Sequence, residues 1–126
     1  MPYFNHDGLN FYFEEHGSGI PLLFSHGLSG SLNQAKELVG SSTGIRLIVY
    51  DSRGHGKTGQ AGNIDQLNFS TMAADAAVLL DLLSVKSAVI GGVSMGAGVV
   101  GELLHDHDAE AADRTWRRSL DFLRHL

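Results

Sequence analysis

The chain contains no cysteine. That absence excludes disulfides, thiolate metal sites and cysteine nucleophiles, and it leaves the redox compartment open. Proline is nearly absent too, occurring only at Pro2 and Pro21, and no low-complexity tract or internal repeat divides the chain. Its 126 residues suffice for one domain with one core. Basic residues are outnumbered, nine against fourteen acidic ones, for a net charge of −5. Nothing in that balance suggests nucleic acid or an anionic membrane as a partner. No apolar run is long enough to span a bilayer. The opening MPYFNHD lacks the basic start and apolar stretch of a signal peptide. A soluble, cytoplasmic, single-domain protein is the expectation.

What is present is a regular alternation of apolar runs. Tyr3–His6 and Leu9–Glu15 are β-prone and are separated by Asp7-Gly8, two residues that tolerate the positive φ of a tight hairpin. Leu22–Ser25 reads as a short buried strand, and Leu32–Leu38 as a short helix. Ile45–Tyr50 (IRLIVY) is a continuous β-branched run, as expected of a strand covered on both faces. A glycine-rich loop, Asp51–Asn63, follows. Ser70 or Thr71 can then cap a helix with Met72, Ala76, Leu79, Leu80 and Leu83 on one face. Ala88–Ile90 is the next buried strand, and Ala97–Leu104 begins another helix. The last segment, Asp108–Leu126, reads as helical, with Ala109, Ala112, Trp116, Leu120 and Leu123 on one face and i,i+4 pairs Glu110–Arg114 and Asp113–Arg117. Strand and helix alternating in this way predict an α/β three-layer sandwich, with a mostly parallel sheet preceded by an antiparallel hairpin.

The stretch Gly91–Leu104, GGVSMGAGVVGELL, fits two fingerprints. Gly92-Val93-Ser94-Met95-Gly96 matches the G-x-S-x-G elbow of a serine nucleophile; Gly96–Gly101 matches the G-x-G-x-x-G of a dinucleotide loop. The second reading needs another strand ending in an acidic residue about twenty residues on. Only Asp121 stands there, inside the helical tail. The first reading needs a buried strand, small residues around the serine and a helix directly behind it, and all three are present. The Met95 N–H is then one oxyanion donor. The Leu28 N–H, in the loop after Leu22–Ser25 with Gly27 allowing close approach, is the candidate for the second. Gly56-Lys57-Thr58 imitates the end of a phosphate-binding loop, but Asp51 stands where its first glycine should be.

With these residues in view, Tyr3 to Leu104 resembles the front half of an α/β-hydrolase: the opening hairpin, FSHGLSG, VYDSRGHGKT and GGVSMGAG follow in order. The resemblance implies a serine ester hydrolase with Ser94 as nucleophile, no cofactor and no metal, acting on a small or medium acyl ester. It also implies that Asp51, Arg53, Gly54 and Gly56 shape a structural loop, and that His26, Gly27, Gly92 and Gly96 frame the site. The tail HDAEAADRTWRRSLDFLRHL resembles the terminal helix of dienelactone-hydrolase-type members. Residues 1–126 thus read as one truncated domain, with the elbow-bearing half in 1–104 and a terminal helix in 105–126.

The family order is serine, acid, histidine, the last two on loops after later strands, and no such strand is expected here. His107 and His105 are the candidate bases, with Asp106 or Asp108 to orient them; His26 ranks behind. At 1.5 Å per residue, His105 lies roughly 15 Å along a helix from Ser94, so it would act through a returning tail or from another subunit. With no later strand, the Ala88-Val89-Ile90 edge would stand open and invite pairing of two copies. A homodimer through that edge is expected.

Overall fold

The computed structural model describes residues 3–28, 30–40, 44–59, 68–108 and 115–121, from residue 104 onward as backbone path. Strands β1 (Tyr3–His6) and β2 (Leu9–His16) form the expected hairpin. Asp7 and Gly8 both take positive φ, 56° and 78°, the pair of left-handed residues that matches the twist of a two-residue turn. Next come β3 (Ile20–Ser25), helix α1 (Leu32–Val39), β4 (Ile45–Tyr50), α2 (Phe69–Leu82), β5 (Ser87–Gly92), α3 (Met95–Asp108) and β6 (Thr115–Asp121). The sheet has the order β1-β2-β4-β3-β5-β6. The hairpin joins antiparallel through β2 and β4, and the β4–β3, β3–β5 and β5–β6 pairs are parallel.

Side chains alternate between the faces of β3 and β4, which divides the core in two. Leu22, Phe24, Leu47 and Val49 pack beneath α1 through Leu32 and Ala35. Leu23, Ile48 and Ile90 face α2 and α3 through Ala76, Leu80, Val99 and Leu103, with Phe4 and Phe11 stacked at 4.9 Å beside them. Each fully buried large side chain contributes about 1.5–3 kcal/mol of transfer free energy, enough to hold a three-layer α/β sandwich. The helix caps are local. Ser31 accepts the Asn33 N–H ahead of α1, and Asn68 accepts the Thr71 N–H at 2.8 Å ahead of α2. The α2 cap is therefore Asn68, and Ser70 and Thr71 lie inside the helix.

The end of the chain corrects the sequence reading. TWRRSLD, expected in a terminal helix, is strand β6, running parallel to β5 from Ser87↔Thr115 to Gly92↔Asp121; Asp121 thus ends a strand, contrary to the expectation that placed it inside a helix. The spacing of the segment suits either period, since residues four apart meet on a helix and, in a regular strand, on one face; the register against β5 shifts between the partners of Ile90 and Gly91. Helix propensities differ by only tenths of a kcal/mol per residue. Pairing with β5 satisfies a row of backbone groups that would otherwise remain open, and that long-range gain decides. The Ala88–Ile90 edge is therefore covered from within the chain. The open edge on which the homodimer expectation rested is not there, and the outer edge of the sheet is β6. His105, Asp106, His107 and Asp108 continue α3 through its last turn and do not form a junction between helices. Ala109, Ala112, the Glu110–Arg114 pair, Leu123, His125 and the loop from Gln60 to Asn63 lie outside the described residues. Among the described residues, no helix is long and apolar enough to cross a membrane.

Candidate active site

The ends of β3 and β5 meet at one point. Ser94 stands between β5 and α3, exposed, with φ at 56°. That left-handed conformation costs a residue with a Cβ roughly 1–2 kcal/mol, so the surroundings must enforce it. A methyl group on Gly92 would run into the backbone carbon and oxygen of Gly96; one on Gly96 would strike the Ser25 carbonyl. Backbone atoms cannot swing aside, so both positions require glycine. The Val93 N–H donates to the Ser25 oxygen at 3.2 Å, the Gly96 N–H to Val93 at 2.8 Å and the Ala97 N–H to Ser94 at 3.0 Å. These bonds pin the turn to the end of β3 and leave the serine on top.

The two amides named from the sequence lie beside it. Met95 opens α3, where first-turn N–H groups lack helical partners and the helix dipole favours negative charge. Leu28 is 70% exposed on the loop after β3. No acceptor among the described residues takes the N–H of either. Both residues line one cavity of about 450 Å³, whose other walls include Phe69, Met72, His55 and Arg53. Gly27 sits against the nucleophile: a methyl group there would lie 3.3 Å from the Ser94 Cβ.

The direction of the Leu28 N–H is fixed through its own peptide. The Gly27 carbonyl accepts the His26 Nδ1–H at 2.7 Å and the Gly30 N–H at 3.0 Å. In a trans peptide the N–H points away from the C=O, so whatever holds the carbonyl aims the amide. His26 has no exposed surface, and its Nε2 accepts the Ser52 N–H at 3.0 Å. Burial holds its pKa below the usual 6.5, against the opposing pull of the Gly27 carbonyl. With both nitrogens committed, His26 is a neutral Nδ1–H tautomer and part of the frame.

The loop after β4 supplies the floor. Asp51 accepts the Leu32 N–H at 2.7 Å and the Lys57 N–H at 2.9 Å, and Gly56, at φ 51°, leaves room for that carboxylate. Arg53, fully buried, makes a two-pronged contact with Asp75 of α2 at 2.8 and 2.7 Å and reaches Asp7 at 3.3 Å. The His6 Nδ1 joins the same carboxylate at 2.7 Å. Hydrogen bonding to Asp75 raises the Arg53 pKa. The cluster ties the hairpin turn, this loop and α2 together beneath the cavity.

The four histidines whose side chains are described each bond a group other than Ser94. His6 is held by Asp75, His16 by Glu14 at 2.7 Å, His26 by its two backbone bonds, and the His55 Nδ1 contacts the Arg53 carbonyl at 3.0 Å. His105 and His107 lie on the distal end of α3, whose rise carries their backbone roughly 16 and 20 Å along the axis from Ser94. Asp106 lies on the same turn. Among the described residues no group of three or more His, Asp or Glu side chains has a metal-binding arrangement. Sequence reasoning missed Gln34, whose Oε1 accepts the Gly27 N–H at 2.7 Å, and Asp75, the partner of Arg53. The signal for Gln34 was local, a glutamine three residues after a capping serine. Asp75 had none, because its partner is 22 residues away.

Known proteins align with this arrangement. The family model for the alpha/beta hydrolase fold matches residues 20–114. A non-heme haloperoxidase of Rhodococcus erythropolis is 34% identical over 105 residues, 82% of this chain and 38% of that protein. Among solved structures, an esterase of Exiguobacterium antarcticum superposes with a TM-score of 0.76 at 27% identity, covering 92% of this chain and 43% of its own. A mutant epoxide hydrolase of Vigna radiata gives 0.79 at 26%, covering 94% and 36%. The chain spans 43%, 38% and 35% of the length of three curated relatives.

Proposed function

The chain belongs to the α/β-hydrolase family, and on that premise we propose that it supplies the nucleophile and oxyanion half of a serine hydrolase acting on carboxylic esters. One observation carries the reading: an exposed serine is held at φ 56° between two glycines that backbone atoms exclude from bearing side chains. Strain of that kind persists only where the fold over-determines it. In the proposed reaction Ser94 Oγ attacks the acyl carbonyl and gives its proton to a base. The carbonyl oxygen becomes an oxyanion facing the Met95 and Leu28 amides, the alcohol leaves with that proton, and water releases the acyl group from Ser94 by the reverse sequence. The cavity beside the two amides, about 450 Å³ and largely apolar, suits a small or medium acyl chain.

The base proposed here reaches Ser94 from outside its own copy of these residues. Either His107 or His105, oriented by Asp106, serves Ser94 of another copy, or a longer relative provides its own histidine. Hydrolysis of p-nitrophenyl acetate and octanoate by the wild type and Ser94→Ala tests the nucleophile. Added imidazole, a diffusible base, is expected to accelerate only the protein that keeps Ser94. Equal rates for the two proteins, with and without imidazole, would refute the ester reading. The competing reading is a catalytically inactive binding module, favoured by the bonds that tie His6, His16, His26 and His55 to groups other than Ser94. It predicts esters that bind in the cavity without ever acylating Ser94, which mass spectrometry of the intact protein distinguishes.

A further inference from the structure

Ser31-Leu32-Asn33-Gln34 has the pattern of a capping box, in which the glutamine three residues after the capping serine turns back to bond the serine's own N–H. The serine caps one residue earlier than the pattern: its Oγ accepts the Asn33 N–H at 3.2 Å, and the Gln34 N–H goes to the serine's backbone carbonyl at 3.0 Å. The glutamine side chain goes elsewhere. Its Oε1 reaches past the cap to the Gly27 N–H at 2.7 Å. Room for that detour exists because residue 30 is glycine. A methyl group on Gly30 would overlap the Gln34 Oε1 and lie 3.0 Å from its Cδ, and one on Gly27 would lie 3.4 Å from the same oxygen. The carboxamide is thus seated between two bare α-carbons, on the loop that carries the Leu28 amide.

We propose that Gln34 is the positioning residue of the oxyanion loop. It holds the Gly27 N–H from one side, while His26 and the Gly30 N–H hold the Gly27 carbonyl from the other. Two successive peptide units are thereby fixed, and the amide at the end of the second, Leu28, is aimed without any contact of its own. Such a donor stabilises charge only if it is oriented before the charge develops. Gln34 touches no reacting atom; it acts through Gly27. The proposal rests on the reading of Leu28 as an oxyanion donor.

Three variants separate this role from a merely structural one. Gln34→Met keeps the length and loses the acceptor. Gly30→Ala leaves Gln34 in place and displaces its carboxamide. The double variant tests whether the two act through one contact. Each is first shown to be folded by near-ultraviolet circular dichroism. The Gly27 amide, followed by hydrogen exchange, is expected to exchange at least tenfold faster in both single variants, with the Val93 amide on the elbow unchanged. For Ser94-dependent ester hydrolysis, kcat falls roughly tenfold at unchanged KM, less than the ~10²–10³ lost with a whole donor. The double variant is no worse than Gln34→Met, as expected for residues sharing one contact. Unchanged exchange at Gly27, a loss confined to KM, or additive losses in the double variant overturns the proposal. If Ser94→Ala proves as active as the wild type, the ester reading has failed. The exchange arm then still decides whether Gln34 holds the loop.

Discussion

The backbone of Ser94 makes a prediction that separates stability from chemistry. At φ 56° the Cβ of any L residue crowds its own carbonyl, at roughly 1–2 kcal/mol. Replacing Ser94 by alanine removes the hydroxyl and keeps the Cβ, so the strain stays. Replacing it by glycine removes both, and relief of the strain is opposed by the extra freedom glycine gains in the unfolded chain, about 0.5–1 kcal/mol. Ser94 is exposed, so the lost side chain carries little burial energy. The glycine variant should therefore be about 0.5–1 kcal/mol more stable than the alanine variant. For a domain of this size that is a rise in Tm of a few degrees, on the order of 2–5 °C. Differential scanning calorimetry of both variants at one pH measures the difference, and both should lack Ser94-dependent esterase activity. A glycine variant equal to or less stable than the alanine variant refutes the claim that the turn is strained.

Other expectations follow from the same geometry. Asp75→Ala leaves the buried Arg53 guanidinium without its principal partner, and urea denaturation should show a loss of about 3–5 kcal/mol; a loss below 1 kcal/mol would contradict the pairing. Burial depresses the pKa of His26, so below the unfolded value of about 6.5 the unfolded chain takes up a proton that the folded one refuses. The urea midpoint should fall between pH 7.5 and 5.5, with a shallower fall in His26→Asn. Burial alone would raise the Glu14 pKa, but bonds from Tyr12, Lys36 and His16 outweigh it and bring the value to about 2 from 4.5. Its stabilising contribution is present above pH 4.5 and is lost as the pH falls toward 2, a decline that Glu14→Gln should flatten in the same titration. Phe69, 46% exposed, forms a wall of the cavity. Phe69→Ala should move the chain-length preference in p-nitrophenyl ester hydrolysis toward longer acyl groups, and an unchanged preference would place the acyl chain elsewhere.

The sequence was most legible where one local force dominates. Ile45–Tyr50 matches β4 to the residue, because its apolar run, broken only by Arg46, is flanked by Gly44 and by the loop that begins at Asp51. Asp7-Gly8 marked its turn because few pairs accept two positive φ values. Ser94 and its flanking glycines stood out because backbone crowding dictates residue type. Legibility fell where a distant partner decides. Trp116 and Leu120 suit a helix or a strand equally, and only β5 makes the choice. Asn68 lost to Ser70 and Thr71 as the expected cap because all three side chains can accept a helical N–H. His26 was read as framing the site and as a third-ranked base; its bond to Ser52, which spans 26 residues, has no counterpart in local pattern.

The strand order β1-β2-β4-β3-β5-β6 also bears on how the chain reaches this state. Only the hairpin joins strands with no element between them; the β3–β4 and β5–β6 pairs each close across a helix, and β2–β4 and β3–β5 across more. Loop-closure entropy must be spent before those pairs return any free energy, and folding slows as contacts become less local. The hairpin can form early, within microseconds, and in the folded chain it is held by the β2–β4 ladder and, at its turn, by Arg53 and Asp75 on Asp7 and His6. The buried charge cluster therefore ties this local hairpin to groups 46 and 69 residues further along the chain, a closure whose entropy cost the rest of the fold must offset.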